Sequence, residues 1–245
     1  TSYGRREIGE RDGKSAFVQL IEAVHGIDGL DRIRFTSPHP KGYGDDLIEA
    51  YGRLAKLCES AHIPVQSGSD AMLKRMHRGY TRERFLEIVG KLRAVRPGIG
   101  VTTDIIVGFP GETEEEFEAT ISLCREVQFD NAFVFKYSTR RDTPAAAMEK
   151  QLPRELIEQR HAMVLAVIDE MGARRYEKFV GKTMEVLVEG PLSALKRSMV
   201  TFARPRKFVP DQRMLGPSGA TNAAGSGDEG DSLGLVATHD GAADV

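Results

Sequence analysis

Residues 101–112, which read Val-Thr-Thr-Asp-Ile-Ile-Val-Gly-Phe-Pro-Gly-Glu, constrain the fold more than any other stretch. The run 105–107 is apolar without alternation, which is typical of a parallel strand covered on both faces. The two glycines that follow allow a sharp turn and a close approach of backbone or ligand. Thr113 and Glu116 then form a capping-box pattern that begins a helix. We therefore predict half of a βαβ unit, whose turn lies at the strand end where α/β proteins bind ligands.

Asp104 is the acidic residue inside this predicted strand. A carboxylate within a buried strand is costly unless a partner compensates for its lost hydration. From the residues alone, two interpretations are equally open. Asp104 is a structural carboxylate that backbone amides satisfy, or it contacts a ligand.

Strand-like and helix-like segments alternate, with short connections, through residue 137. Apolar spacing predicts helices that begin near residues 15, 45, 81 and 113. The predicted strands are 32–36, 62–65, 101–107 and 131–137. Pro64 lies inside the second strand, so we expect a bulge or irregular pairing there, because proline cannot donate to a ladder. The alternation predicts an α/β fold with a parallel sheet, either open or closed into a barrel.

The pattern changes beyond residue 137. Pro153 begins a long helical segment that runs to about residue 178, with an apolar stripe formed by Ile157, Val164, Ile168 and Met171. Residues 182–189 are predicted to form one strand of a further module. From about residue 210 the chain is rich in Gly, Ala, Ser and Asp and has too little apolar content to fold alone. We therefore predict a disordered tail.

The composition is that of an ordinary globular protein, with 40% hydrophobic and 29% charged residues in a chain of 245. The formal net charge of −2 gives no global basic signal for nucleic acid. Residues 151–210 are mildly basic and residues 211–245 are acidic. This asymmetry favours either an anionic partner or, as the commoner explanation, a solvated helix surface.

The two cysteines, Cys58 and Cys124, both lie in helix-like segments. Their positions fit neither a metal-binding motif nor a disulfide framework, and His62 and His77 lack a second ligand at a metal-like spacing. We interpret both histidines as structural. The sequence contains no secretory signal and no apolar run of membrane-spanning length, so we expect a cytoplasmic protein. Because the chain opens at Thr1 on a turn, we expect that an N-terminal part is missing.

Four polar clusters fall where the predicted strands end. They are Ser37-Pro38-His39-Pro40, Gln66-Ser67-Gly68-Ser69-Asp70, Asp104 with residues 108–112, and Tyr137-Ser138 with Arg140. If the strands are parallel, these clusters line one rim of the sheet. Hydroxyls, an amide and a glycine turn suit hydrogen bonding to a ribose and an amino-acid head group better than proton transfer. We therefore assign no catalytic residue and no metal ligand.

Each candidate also has a structural explanation. Residues 66–70 fit a cap of the following helix equally well. Glu112 fits a turn or a cap better than a catalytic acid, and a loop histidine such as His39 is more often neither ligand nor base. Arg78, close to a helix end, suits a carboxylate or a phosphate, and its alternative is a surface ion pair.

Several motifs occur together and in order. They are Thr36-Ser-Pro-His-Pro40, His62-Ile-Pro-Val-Gln-Ser-Gly-Ser-Asp70, Leu73-Lys-Arg-Met76 with Arg78-Gly-Tyr-Thr81, residues 102–113, and Phe135-Lys-Tyr-Ser138 with Thr143-Pro-Ala-Ala146. Over about residues 1–190, this set resembles the radical S-adenosylmethionine methylthiotransferases. Residues 37–40 and 65–69 are most similar to the members that modify carbon 2 of N(6)-isopentenyladenosine beside the anticodon of tRNA.

The resemblance implies an α/β fold with a partial (β/α)6 radical-SAM barrel at 1–150. The other implied parts are a packed helix at 151–180, a partial RNA-binding β domain at 181–209 and a disordered tail at 210–245. It also implies methylthiolation with S-adenosylmethionine and two [4Fe-4S] clusters, in which a 5′-deoxyadenosyl radical abstracts hydrogen and the second cluster supplies sulfur. The implied partners are the tRNA anticodon stem-loop and a sulfur donor, with the protein a monomer.

The resemblance further implies which residues bind S-adenosylmethionine, most of them at the predicted rim. Gln66, Ser67 and Ser69 are implied to contact the ribose and methionyl parts, and Asp104, Val107 and Gly108 the ribose and adenine. The backbone of Tyr137 and Ser138 is implied to contact the adenine edge. Arg78 is implied to contact the methionine carboxylate.

The chain departs from the family in its cysteines. The family's cluster-binding cysteine motif does not occur in this sequence, and iron–sulfur clusters require cysteine thiolates. We therefore expect that this chain alone binds no cluster and is inactive. Two alternatives remain open. One is a sibling methylthiotransferase that acts on threonylcarbamoyladenosine in tRNA or on a ribosomal protein, and the other is a non-catalytic RNA- or nucleotide-binding module.

Overall fold

The computed structural model describes residues 3–4, 6–36, 38–141 and 143–184. The chain divides into two compact units, 1–180 and 181–245, and the second is described only at 181–184. The helices are α1 (Ala16–His25), α2 (Asp45–Arg53), α3 (Asp70–Arg75), α4 (Arg82–Val95), α5 (Glu114–Val127) and α6 (Arg154–Glu177). The strands are β1 (Ser60–His62), β2 (Gly100–Val107) and β3 (Asn131–Lys136).

The three strands form one parallel sheet in the order β1-β2-β3. Thr102 pairs with His62 on one side and with Asn131 on the other, so β2 is the central strand. Because all three strands run in the same direction, their carboxyl ends lie at one edge of the sheet. The predicted parallel α/β sheet is confirmed.

Pro64 is accommodated by an extra residue after β1. The strand pairs His62 with Thr102, and the next bridge joins Gln66 to Ile105. The chain therefore advances four residues after His62 while β2 advances only three. The buried Thr103 hydroxyl fills the gap: it accepts from the Val65 N–H (3.0 Å) and donates to the Ile63 carbonyl (2.7 Å). The predicted bulge is therefore present, and a side chain from β2 takes over the ladder bonds that it interrupts.

The two faces of β2 have different environments. Val101, Ile105 and Val107 are fully buried in a core that includes Phe85 of α4 and Phe117 of α5. Residues 100, 102, 104 and 106 alternate with them, point to the other face and are only partly buried. The expectation that both faces are covered is thus wrong for the described part of the chain, because the helices that bury β2 pack on one face.

The helix starts agree closely with the sequence patterns. The hydroxyls of Ser15, Thr81 and Thr113 cap α1, α4 and α5, and Thr113 and Glu116 form the complete predicted capping box. Pro153 is the N-cap of α6. Each of these caps involves residues within about one helical turn of each other, so the local sequence pattern is enough to predict it.

Three expectations need correction. The segment 32–36 is not a strand but a single parallel bridge, from Ile33 to Leu57. Helix α2 ends at Arg53, so Cys58 lies beyond it and not on its apolar face. Asp45 and Asp46, which the sequence suggests as caps of α2, lie instead in its first turn, where acidic side chains interact favourably with the helix dipole, and the N-cap is Gly44.

The remaining expectations concern the carboxyl-terminal part. The predicted strand at 182–189 and the predicted tail at 210–245 lie outside the described residues, except for 182–184. Within the described residues, no helix combines the length and the apolar character needed to cross a membrane.

Candidate functional site

The carboxyl edge of the sheet brings three of the predicted clusters together. The Gln66 N–H donates to the Asp104 carbonyl (2.8 Å), and the Gln66 carbonyl accepts from the Ile106 N–H (2.9 Å). On the other side of β2, the Tyr137 N–H donates to the Val107 carbonyl (2.8 Å). The segments after β1, β2 and β3 are therefore neighbours, as the rim hypothesis requires. We call this set (residues 66–69, 104–108 and 137–138) the carboxyl-edge site.

Gln66 has the most distinctive conformation in this site. Its φ is +69°, in the left-handed region that non-glycine residues rarely adopt. The residue is 6% exposed, yet no described residue forms a hydrogen bond with its side-chain amide. A strained backbone of this kind costs of order 1 kcal/mol and is found most often at binding sites. Gln66 is thus held in place with its amide free for a ligand.

The two serines that follow have their hydroxyls engaged within the protein. Ser69 Oγ accepts from the Met72 N–H and caps α3. Ser67 Oγ, fully buried, lies 3.3 Å from Thr120 Oγ1, which also accepts from the Gly68 N–H (3.0 Å). Gly68 allows this contact, since a Cβ there would lie 2.3 Å from the Ala119 carbonyl oxygen. Both hydroxyls therefore fix the loop that carries Gln66.

The turn after β2 is held by a buried carboxylate. Gly108 has a φ of +76°, and its N–H donates to Glu112 Oε2 (2.9 Å). Arg160 of α6 pairs with the same oxygen (2.8 Å). Burial raises the pKa of Glu112, while the Gly108 N–H and the Arg160 guanidinium oppose that shift. The interpretation of Glu112 as a turn residue is confirmed, because both carboxylate contacts are internal to the fold.

Asp104 has a partner that the sequence did not reveal. Its Oδ1 lies 3.4 Å from His62 Nε2, and His62 Nδ1 is 2.9 Å from the Thr102 hydroxyl. Phe133 packs edge-on against the imidazole at 5.9 Å between ring centroids. The signal was present in the period-two spacing of residues 102 and 104, which places both on the same face of β2 as the paired His62. Asp104 is therefore neither bare nor held by backbone amides.

The segment after β3 adds an unsatisfied phenol. The Tyr137 hydroxyl is buried without a hydrogen-bond partner in the described part of the chain. Its ring packs edge-on against Phe109 of the β2 turn, at 5.3 Å. Ser138 follows and is exposed. A buried polar atom without a partner is costly, so this hydroxyl is an unsatisfied group beside the β2 turn.

Arg78 lies in a cationic environment. The nearby guanidinium of Arg78 and the ammonium of Lys41 lower the pKa of His39, in addition to the larger effect of burial. His39 accepts from the Lys41 N–H and packs edge-on against Tyr80 (5.2 Å). The Arg78 Nε is buried and unpaired, and no described carboxylate forms an ion pair with this side chain. The alternative of a surface ion pair is therefore not realised in the described residues.

The chain's own cysteines do not suit a cluster. Burial raises the pKa of the Cys124 thiol to about 12 and also raises the pKa of Cys58, so both thiols disfavour the thiolate that binds iron. Within the described ranges, no group of three His, Cys, Asp or Glu side chains is arranged to hold a metal ion. The carboxyl-edge site offers a side-chain amide and a phenol, which are hydrogen-bonding groups and not metal ligands.

Comparison with known proteins gives consistent matches. Residues 8–124 match the family model of the Radical SAM superfamily. A protein of Opitutus terrae named tRNA-2-methylthio-N(6)-dimethylallyladenosine synthase is 53% identical over 191 residues, which cover 78% of this chain and 40% of that protein. Proteins of the same name are similar in Akkermansia muciniphila (51%, covering 77% and 41%) and in Clostridium botulinum (45%, covering 85% and 45%). The chain thus spans less than half the length of these curated relatives.

Proposed function

Since this chain belongs to the radical SAM superfamily, we propose that it contributes the adenosyl-binding surface of an enzyme that methylthiolates carbon 2 of N(6)-isopentenyladenosine in tRNA, next to the anticodon. The predicted family and α/β fold class are confirmed. The observation that carries the proposal is the carboxyl-edge site, where Gln66, a largely buried residue with a left-handed backbone, lies near the unsatisfied phenol of Tyr137 in a chain of this family.

The cofactor S-adenosylmethionine supplies the radical chemistry, and the protein's task is to bind, orient and exclude water. We assign the ribose to Gln66 and Asp104, whose amide and carboxylate suit its two hydroxyls. The Val107–Gly108 backbone lies against adenine, and the Ser138 N–H and Tyr137 carbonyl pair with the adenine edge. Ser67 and Ser69 act through the loop geometry that they fix.

The first test is nucleoside affinity in solution. Gln66→Ala and Asp104→Ala should each weaken binding of methylthioadenosine to the full chain by about tenfold, the usual loss when one hydrogen bond to a ligand is removed. Isothermal titration calorimetry measures the dissociation constant. Asp169→Ala, which removes an exposed carboxylate of α6, is the matched control and should bind as the unaltered chain does. Unchanged affinity in both site variants would contradict the assignment of Gln66 and Asp104 to the ribose.

Arg78 is assigned to the methionine carboxylate, because it is a cation without a described counter-ion. S-adenosylhomocysteine carries this carboxylate and methylthioadenosine does not. Arg78→Met should therefore weaken binding of the first ligand by about tenfold and leave the second unchanged. An equal loss for both ligands would show a structural role for Arg78.

The further assignments of this proposal are the domain ranges and the surroundings of the protein. They comprise a barrel part at 1–150 and a packed helix at 151–180, while the ranges expected at 181–209 and 210–245 lie outside the described residues except for 181–184. We propose a cytoplasmic monomer that works with the tRNA anticodon stem-loop and a sulfur donor. The name of these relatives specifies a modified adenosine of tRNA, which supports the nucleic acid partner.

A second candidate function, a non-catalytic nucleotide- or RNA-binding module, rests on the two thiols, of which Cys124 is buried and Cys58 is partly buried. We propose that this chain alone binds no cluster, because its only two cysteines are the poor ligands Cys58 and Cys124. After anaerobic incubation with iron and sulfide, the desalted chain should contain no stoichiometric iron and show no brown absorbance. Four irons per chain with the matching absorbance would contradict this and exclude the module.

A further inference from the structure

Helix α6 contacts the β2 turn through two side chains one helical turn apart. Ile157 packs directly on Gly108, since a Cβ at that glycine would lie 2.5 Å from Ile157 Cγ1. Arg160 Nη1 donates to both the carbonyl (3.0 Å) and Oε2 (2.8 Å) of Glu112, and its Nη2 donates to Glu114 (2.8 Å). An apolar contact and a forked ionic contact therefore hold opposite ends of the same five-residue turn, from residue 108 to 112.

The other end of α6 is anchored by a similar pair at the amino edge of the sheet. Arg175 contacts both carboxylate oxygens of Asp130, at 3.2 Å each. Asp130 Oδ2 in turn accepts from the Val101 N–H (2.7 Å), at the start of β2. The helix thus has one arginine anchor at each edge of the sheet, and only that of Arg160 lies at the carboxyl-edge site.

The geometry points to a positioning role for Arg160 and Ile157: through Glu112 and Gly108, helix α6 fixes the backbone that lies against the adenosyl group. This inference rests on the proposed function and assigns part of it to residues that do not touch the ligand. Glu112 Oε2 joins the Arg160 guanidinium to the Gly108 N–H, so displacement of the arginine also frees the turn. The Arg160 and Glu112 side chains are 4% and 1% exposed, which leaves little room for water to replace the contact.

The contacts of Arg160 depend on the shape of its guanidinium group as well as on its charge. A guanidinium presents a planar fork that donates to the carbonyl and the carboxylate of Glu112 and to Glu114 together, whereas an ammonium is a single point donor. Its central carbon also lies 5.0 Å from the centroid of the Phe117 ring. Arg160→Lys therefore keeps the charge but loses the simultaneous contacts, which separates positioning from simple charge compensation.

The experiment compares the two arginine anchors of α6. Arg160→Met and Arg160→Lys should weaken binding of methylthioadenosine to the full chain about tenfold, because a backbone segment displaced by a fraction of an ångström no longer fits its ligand. Arg175→Met is the matched control: it removes the same side chain from the same helix at the opposite edge. Thermal unfolding of all variants measures the loss of stability, which we expect for both sites, while the loss of affinity is expected only at Arg160.

The outcomes separate the two proposals. A loss of affinity at Arg160 that is absent at Arg175, at a temperature where all variants are folded, supports the positioning role. Equal affinities in the unaltered chain and all variants overturn the positioning role and leave the proposed function in place. No binding of either nucleoside to the unaltered chain overturns the proposed function and this inference with it.

Discussion

At Gly108, a single missing methyl group decides whether the β2 turn and α6 can pack together. The residue combines a φ of +76° with contact to the Ile157 side chain. Gly108→Ala should lower the free energy of unfolding by about 3 kcal/mol, from left-handed strain and overpacking together. Denaturant unfolding measures the change.

Gly90 offers the matched control for that substitution. It lies exposed in α4, and among the described residues no atom beyond its chain neighbours and its own helix backbone lies within 4 Å of the position that an added methyl group would take. Gly90→Ala should stabilise the chain by about 0.5 kcal/mol or more, as alanine favours a helix interior. If Gly108→Ala were as well tolerated as Gly90→Ala, the close packing of the turn against α6 would be wrong.

The role of a residue was predictable where its contacts are with residues nearby in the sequence. Thr113 and Glu112 act within a few residues of the turn, so their structural parts followed from local pattern. The partner of Asp104 is 42 residues away, at His62, and its identification requires the register of two strands. Arg160 is more distant still from Glu112. Its spacing from Ile157 and Val164 places it on the apolar stripe of α6, but the local pattern does not identify its partner.

At the scale of elements, the bulge at Pro64 depends on one hydroxyl. Thr103→Val removes the acceptor of the Val65 N–H and the donor to the Ile63 carbonyl while keeping the side-chain volume. Two buried backbone groups lose their partner, so the free energy of unfolding should fall by about 2 kcal/mol. Chemical denaturation measures it. Thr103→Ser keeps the hydroxyl and should cost less, and a larger loss in the serine variant would contradict the hydrogen-bond explanation.

The helices were easier to predict than the strands. Hydroxyl caps and apolar spacing set α1, α4 and α5 locally, whereas a strand exists only if a neighbour pairs with it. The segment 32–36 has suitable alternation, but only Ile33 forms a bridge in the described residues. Alternation therefore indicates a capacity to pair and does not specify the length of the ladder.

At the scale of the whole molecule, the common direction of the three strands brings the residues of the carboxyl-edge site together. Three parallel strands place residues from positions 66, 108 and 137 at one edge, and α6 connects that edge to the opposite one through Arg160 and Arg175. The alternation of strands and helices in the sequence predicted that the strands are parallel and that their ends share one rim. It did not predict that the second face of β2 is only partly buried, because the coverage of a face depends on where distant helices pack.

The most direct test of the central claim is hydrogen–deuterium exchange of the full chain with and without saturating methylthioadenosine. We expect slower exchange in peptides that cover the carboxyl-edge site, at 66–69, 104–108 and 137–138. We expect no change at the amino edge, around Val101 and Asp130. Protection confined to the amino edge, or no protection at the carboxyl edge despite measured binding, would contradict the claim that this edge binds the adenosyl group.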